Sequence, residues 1–505
     1  MYNLLEYLEQ TAGRFPDKTA FEDVNGAVTY GQLMQRAKAA GTAIAAVTPP
    51  GKAVAVCMEK SVDAVTAFMA ALYAGCFYCF VDPKQPAARN IAMLQPVEPA
   101  VVLYNDSGKK AAGFLEMNAL DISQLVETEP DEAVLAVIRR RHIDLDPAYC
   151  SFTSGSTGTP KGVLVSHRSV IDFIDVFVPL FGISDADVLA CQSPFDFDVS
   201  VKDIYSCLKT GASCFLIPKY YFVFLPNLLE MMTEKKVTTL IWAVSALCML
   251  SERDALEFQT PPCINKILFS GEVMPPSHLL TWKRYYPQAK FVNLYGPTEI
   301  TCNCTYHILP QDYSGGEIPM GLPFPNERVF LLRDDGTEVT DPGEAGEICV
   351  AGTAVALGYC GLPERTEEAF VNDPLTTLWN SRIYKTGDMA RYGDDGLMYY
   401  SGRRDHQIKR HGRRVELAEI DRALHSIDGV ARACTVYIKE SQTLVAFLSG
   451  NEPERKVFAK TLAKLLPDYM MPDENIWQES LPLNAHGKID RSALTKSYLE
   501  GKENG

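Results

Sequence analysis

Residues 151–162 read Ser151-Phe152-Thr153-Ser154-Gly155-Ser156-Thr157-Gly158-Thr159-Pro160-Lys161-Gly162, which gathers hydroxyls and glycines around a single lysine. Small residues let backbone N–H groups approach an anion, the hydroxyls add donors, and Lys161 adds a positive charge. That is the chemistry of a loop gripping a polyphosphate. The G-x-x-x-x-G-K-[ST] spacing of a Walker A loop is absent, because Pro160 precedes Lys161 and Gly162 follows it. The spacing of Gly155-Ser156-Thr157-Gly158 also excludes a G-x-S-x-G nucleophile elbow. Composition alone fits a solvated Ser/Gly/Thr linker equally well.

Further segments concentrate groups of the same kind. In Leu294-Tyr295-Gly296-Pro297-Thr298-Glu299, Glu299 is a hard oxygen donor of the type Mg²⁺ takes, Thr298 offers a hydroxyl and Tyr295 an aromatic face. In Tyr384-Lys385-Thr386-Gly387-Asp388, the Asp388 carboxylate can accept a pair of hydroxyls. Arg403, in Gly402-Arg403-Arg404-Asp405, adds a cationic donor, and Lys488 lies in the polar run Asn484-Ala485-His486-Gly487-Lys488-Ile489-Asp490. Taken singly, an Asp or Arg in such a turn is more often a cap or a surface pair.

Together and in this order, these segments resemble the motifs of the adenylate-forming superfamily, which includes acyl-CoA synthetases, luciferases and peptide-synthetase adenylation domains. The opening loop is similar to its phosphate loop; the others resemble Y-G-P-T-E, Y-x-T-G-D, the G-R-x-D hinge and N-x-x-G-K-x-D. The strongest overall resemblance is to stand-alone amino-acid-activating enzymes, particularly D-alanine–carrier protein ligases and peptide-synthetase adenylation domains. It implies an α/β fold: a large N-terminal domain with parallel α/β sheets (1–404) and a small α+β C-terminal domain (405–505), joined by a hinge at Asp405. It implies ATP and Mg²⁺ as well. ATP would be held by Thr153, Ser154, Gly155, Ser156, Thr157, Gly158 and Lys161 of the loop. Gly271, Glu272, Asn293, Tyr295, Gly296, Thr298, Asp388 and Arg403 would complete that site, with Glu299 on the metal. Lys488 receives the catalytic role, bridging the substrate carboxylate and the α-phosphate as charge builds in the transition state. No general base is needed, since a carboxylate is already ionised at neutral pH. Rotation of the small domain at Asp405 would then withdraw Lys488 and present the loop at Gly412 for thioester formation.

Substrate class turns on Pro194-Phe195-Asp196-Phe197-Asp198-Val199-Ser200, which resembles the segment where an aspartate holds a substrate's α-ammonium; Asp198 matches it. Lys202 follows four residues later, one helical turn along on the same face. Three readings stay open: Lys202 neutralises Asp198, it binds an acidic or polar side chain in the pocket, or it is a surface lysine. The resemblance adds Val199, Ala243, Leu268, Ser270, Leu294, Cys302 and Asn303 to the pocket wall. Ser270 stands where typical D-alanine ligases have cysteine, and Lys202 where they have a neutral residue, so D-alanine itself is disfavoured.

These residues imply ATP-dependent formation of an aminoacyl-AMP, then transfer to the phosphopantetheine thiol of a separate carrier protein. The chain ends seventeen residues after Lys488, which leads to the expectation of a carrier in trans. An acyl- or aryl-CoA ligase acting on a non-amino organic acid is the alternative. A catalytically silent nucleotide-binding or scaffold protein is another, opposed by the intact Glu299, Asp388 and Lys488.

Such residues need a scaffold, and the chain alternates strand and helix signals. Residues 53–58 read as a buried strand, 61–74 as a helix closed by Gly75, and 77–81 as the next strand. That rhythm predicts a parallel sheet covered by helices. Apolar runs recur at 212–218, 237–250 and 264–269, and short strands with turns begin at 343. Beyond the charged, turn-prone 402–405, residues 415–427 and 457–466 read as helices, and 435–438 and 443–448 as strands. At 505 residues, with 47% hydrophobic and 22% charged residues, the composition is ordinary for a soluble globular protein. A net charge of −15 disfavours nucleic acid, and no apolar run reaches the roughly eighteen residues of a membrane span. The N-terminus lacks signal-peptide character, so a cytoplasmic location is expected. Fourteen scattered cysteines and eight histidines show no metal-ligand spacing, although Cys76-Phe77-Tyr78-Cys79 is a lone C-x-x-C.

Overall fold

A computed structural model describes the whole chain except residues 155–159, 405, 406, 411, 440, 484–488, 504 and 505. The chain divides into two compact units: residues 1–83, 96–152 and 162–404, and residues 84–95, 153–161 and 405–505.

The first unit is built on two largely parallel sheets. All five residues of the strand Ala53–Cys57 are buried, as in its neighbour Phe77–Val81, because both faces of a parallel sheet are covered. The intervening helix Val62–Tyr73 starts where the Ser61 side chain accepts from the Ala64 N–H at 3.3 Å. It ends before Gly75, whose φ of +70° suits glycine. This sheet has seven strands, with Pro147–Thr153 beside Phe77–Val81 and Lys161–Ser166 next beyond it.

The larger sheet has nine strands. Six of them are parallel: Lys290–Tyr295, Lys266–Ser270, Thr239–Ala243, Val188–Cys191, Ser213–Leu216 and Thr19–Asp23. The period of two splits their side chains between two cores. Ile241, Leu268, Val292 and Leu294 enter one, with Val199 and Ile204 of the helix Val199–Thr210. Leu240, Trp242, Ile267, Phe269 and Phe291 enter the other. An antiparallel sheet of six strands, including Ala345–Gly352, Arg382–Tyr392 and Met398–Arg403, completes the unit.

The structure resolves two local readings of the sequence further. The largely apolar run 237–250 is a strand, Thr239–Ala243, followed directly by a helix, Val244–Glu252; its crowded apolar residues carry no single period to separate the two. The turn expected at 402–405 begins later, because Gly402 and Arg403 are still in a strand, where Arg403 pairs with Asp388.

In the second unit Val415 and Glu416 belong to a short strand, Arg413–Glu416, paired with Gln407–Arg410, and the expected helix begins only at Leu417. Val430–Ile438, Thr443–Gly450 and Glu474–Trp477 form a three-stranded sheet. Val415, Ile420, Leu424, Leu444, Ala446 and Leu448 share its core. Arg410 spans the gap to Asp473 with two hydrogen bonds of 2.6 Å.

Candidate functional site

Ala243, Ser270 and Tyr295 are the last residues of three adjacent parallel strands. The register pairs Ala243 with Ser270 and Phe269 with Asn293. Loops leaving the carboxyl ends of such strands form the crevice where ligands bind in open α/β sheets. Gly271 turns out of its strand with a φ of +100°, and Glu272 follows. Asn293 is committed to the fold, its Nδ2 donating to the Pro319 carbonyl at 2.8 Å.

One polar cluster lies between this edge and the helix Val199–Thr210. Asp198 precedes the helix, is buried, and makes no capping bond with its side chain. Lys202 is 0% exposed, and its Nζ donates to Asn303 Oδ1 at 2.6 Å and to Ser270 Oγ at 3.4 Å. It forms no ion pair among the described residues. One of the three readings of Lys202 is therefore set aside: it is not on the surface, and it makes its hydrogen bonds to Asn303 and Ser270 while Asp198 acts on it through its field. Desolvation lowers its pKa, against the opposing fields of Cys302, Asp198 and Asp203. Val199, Ala243, Leu268, Leu294 and Cys302 are also buried.

The loop carrying Cys302 and Asn303 is held in an uncommon backbone state. Thr301 and Cys302 have φ values of 54° and 74°. Thr301 Oγ1 donates to the Ala354 carbonyl at 2.7 Å, and the Cys302 thiol to the Asp198 carbonyl at 3.2 Å. Burial pushes that thiol's pKa well up. Gly296 makes the arrangement possible, since a Cβ there would stand 2.5 Å from Asn303 Cα and 2.7 Å from the Cys302 carbonyl oxygen.

A second cluster centres on Asp388, also buried. Its Oδ2 accepts from the Tyr295 hydroxyl at 2.6 Å and its Oδ1 from Arg403 Nη1 at 2.7 Å. A carboxylate has about four acceptor positions, so this leaves capacity for further donors. Thr298 and Glu299 lie on the short turn Thr298–Ile300. Glu299 is fully buried, and its Oε1 accepts from the Tyr359 hydroxyl at 2.8 Å. Sequence reasoning missed Tyr359: sixty residues separate the pair, and nothing in Gly358-Tyr359-Cys360 marks a partner for Glu299. Thr153 and Ser154 are buried at the end of the strand Pro147–Thr153, and Lys161 opens the next strand. Gly155, Ser156, Thr157, Gly158, Asp405 and Lys488 lie outside the described residues.

Residues 8–360 match the profile of the family described as AMP-binding enzyme. The chain belongs to this family. A linear gramicidin synthase of Brevibacillus parabrevis is 32% identical over 495 residues, covering 96% of this chain and 6% of that protein. Malpinin synthetase of Mortierella alpina is 32% identical over 517 residues, covering 97% of this chain and 7% of that protein. The chain thus spans only a small part of these relatives' length. Among solved structures, holo-PA1221, an NRPS protein containing adenylation and PCP domains, superposes with a TM-score of 0.84 at 25% identity, over 98% of this chain and 84% of that one. An o-succinylbenzoate CoA synthetase of Bacillus subtilis gives the same TM-score, 0.84, at 22% identity over 97% of this chain and 98% of that one, a likeness of fold alone. The parallel sheets and smaller C-terminal α+β unit are thus those of AMP-binding enzymes.

The donor set suits a metal held mostly by its ligand. No group of three or more His, Cys, Asp or Glu among the described residues could cage an ion. One buried carboxylate, Glu299, fits Mg²⁺, which commonly binds through one or two carboxylates plus substrate phosphates. Among the described residues no helix is long and apolar enough to cross a membrane. All fourteen cysteines are free, and twelve are buried.

Proposed function

We propose that this AMP-binding enzyme activates an amino acid with ATP as an aminoacyl-AMP, then passes the acyl group to the phosphopantetheine thiol of a carrier protein. The observation that carries this reading is Asp198: a buried carboxylate lining a small cavity with Tyr78, Tyr149 and Phe195, not used to cap its own helix. A carboxylate in such a place is best satisfied by a cation, and an α-ammonium supplies one. The carrier protein is suggested by the adenylation–PCP architecture of holo-PA1221.

In this reading Asp388 takes the ribose hydroxyls of ATP, Arg403 holds Asp388 in place, and Thr298 donates to the α-phosphate. Glu299 would hold Mg²⁺, which when bound neutralises phosphate charge. A substrate carboxylate oxygen attacks the α-phosphorus, the bond to pyrophosphate breaks, and Lys488 spreads the charge that builds there. Catalysis is mainly positioning and charge neutralisation.

Pyrophosphate exchange across a panel of amino acids and organic acids tests the proposal. Exchange with amino acids, abolished by Lys488→Ala, is expected. Exchange only with acids that lack an amine would replace this reading by an acyl- or aryl-CoA ligase.

A further inference from the structure

We infer that the amino acid this site accepts carries a carboxylate at the end of its side chain, received by Lys202 together with Ser270 and Asn303. The inference rests on the amino-acid reading of Asp198.

Geometry supplies the first half of the case. Asp198 and Lys202 lie one turn apart on one helix face, so an anionic and a cationic group stand side by side there, with Asp198 lining a small cavity beside Tyr149 and Phe195. An ammonium has three donors, and the partners of Lys202 are an amide oxygen at 2.6 Å and a hydroxyl at a loose 3.4 Å, both neutral. Both partners are buried, one at the end of a strand and one on the strained loop after Cys302. Asn303 and Ser270 thus aim the ammonium without neutralising it. A side-chain carboxylate would take the Ser270 position or the third donor.

Charge supplies the second half. A buried charge is stable when it is paired. In the free protein the fields that favour the charged form of Lys202 come from Cys302, whose thiol burial holds towards the neutral form, and then from Asp198 and Asp203. Asp203, the next residue along, is no substitute: burial drives its carboxyl well above the usual range, towards the neutral form. When a substrate ammonium takes Asp198, Lys202 loses its compensating field. A neutral side chain would leave a surplus buried cation; an acidic one restores the balance, with substrate and pocket charges alternating along the helix.

The test compares wild type with Lys202→Met and Lys202→Gln. Probes are acidic amino acids of two side-chain lengths in both configurations, their amide counterparts, and small neutral amino acids. Readouts are pyrophosphate exchange and calorimetric binding, with unfolding midpoints confirming that each variant folds. Wild type is expected to favour one acidic substrate over its amide by about 100-fold, and both variants to lose about that factor for the acid while retaining the amide. Preference for a small neutral amino acid or an amide, or an unchanged acidic preference in both variants, overturns the inference and leaves the amino-acid reading standing. Activation of only amine-free acids overturns that reading, and the inference falls with it. If no exchange is seen, calorimetry decides: no binding of any acidic amino acid overturns the inference.

Discussion

Lys202 Nζ lies 2.6 Å from Asn303 Oδ1, so the buried ammonium is aimed by a loop residue 101 positions away rather than by Asp198, four residues before it. That contact depends on a backbone turn through Thr301 and Cys302 with positive φ at two non-glycine residues. Such turns persist only where their surroundings over-determine them. Here the surroundings are Gly296, which admits the loop, and the Ala354 carbonyl, which holds Thr301.

Gly296→Ala should therefore damage the pocket through its shape. The new Cβ meets backbone at 2.5 and 2.7 Å, atoms that cannot swing aside as a side-chain tip would. The 301–303 loop must shift, and Asn303 with it. The expected result is about a tenfold or larger loss in kcat/KM for the amino acid, with a smaller change in KM for ATP. An equal loss for both substrates would instead indicate general unfolding.

Tyr359→Phe should act on the metal side. Glu299 is fully buried, and the Tyr359 hydroxyl donates to it at 2.8 Å. Removing that bond costs the orientation of a charged acceptor, about 1.5–3 kcal/mol at most. The Mg²⁺ concentration giving half-maximal exchange is expected to rise about tenfold, and excess Mg²⁺ to restore much of the rate. A variant with an unaltered Mg²⁺ titration would show that Tyr359 does not position Glu299.

The parts of this molecule that were legible in its sequence are those whose cause is local. Ala53–Cys57 is read correctly because five consecutive apolar residues suit a strand buried on both faces. Ser61 and Gly75 mark their helix because capping and left-handed backbone are properties of single residues. Val415 misleads because its apolar spacing with Ile420 and Leu424 fits a helix, yet pairing with Ile408 holds it in a strand. Asp198, Glu299 and Asp388 stand in recognisable motifs, whereas Tyr359 meets Glu299 only through tertiary packing. Lys202 lies between these cases. Its spacing from Asp198 is visible in sequence; that Ser270 and Asn303 close over it is not.

Arg403→Met tests how firmly the Asp388 cluster is bound into the fold. Both side chains of this 2.7 Å ion pair are nearly or fully buried, so the variant leaves a buried carboxylate without its cation. Removing one partner of such a pair costs about 3–5 kcal/mol. Chemical unfolding should show a large drop in midpoint, and ATP should restore less stability than in wild type. Asp388→Asn combined with Arg403→Met is expected to recover part of the loss, since the double variant buries no lone charge.

Glu327 should make stability fall as pH rises. Its Oε1 accepts from the Ala354 N–H at 3.1 Å, while Oε2 is buried with no hydrogen-bond partner among the described residues. Burial pushes the carboxyl from an ordinary 4.5 up to about 8. Between those values the folded protein keeps a proton that the unfolded chain has released, so raising the pH favours unfolding. The stabilising effect is complete below about 4.5 and is lost progressively as pH passes through about 8. Glu327→Gln replaces the carboxyl with a neutral group of similar shape and removes this slope. Urea midpoints at pH 5 and pH 9 provide the measurement. Wild type should lose more stability than the variant between those conditions, by a few kcal/mol at most. Parallel behaviour of the two proteins would mean that Glu327 is ionised in the native state at neutral pH.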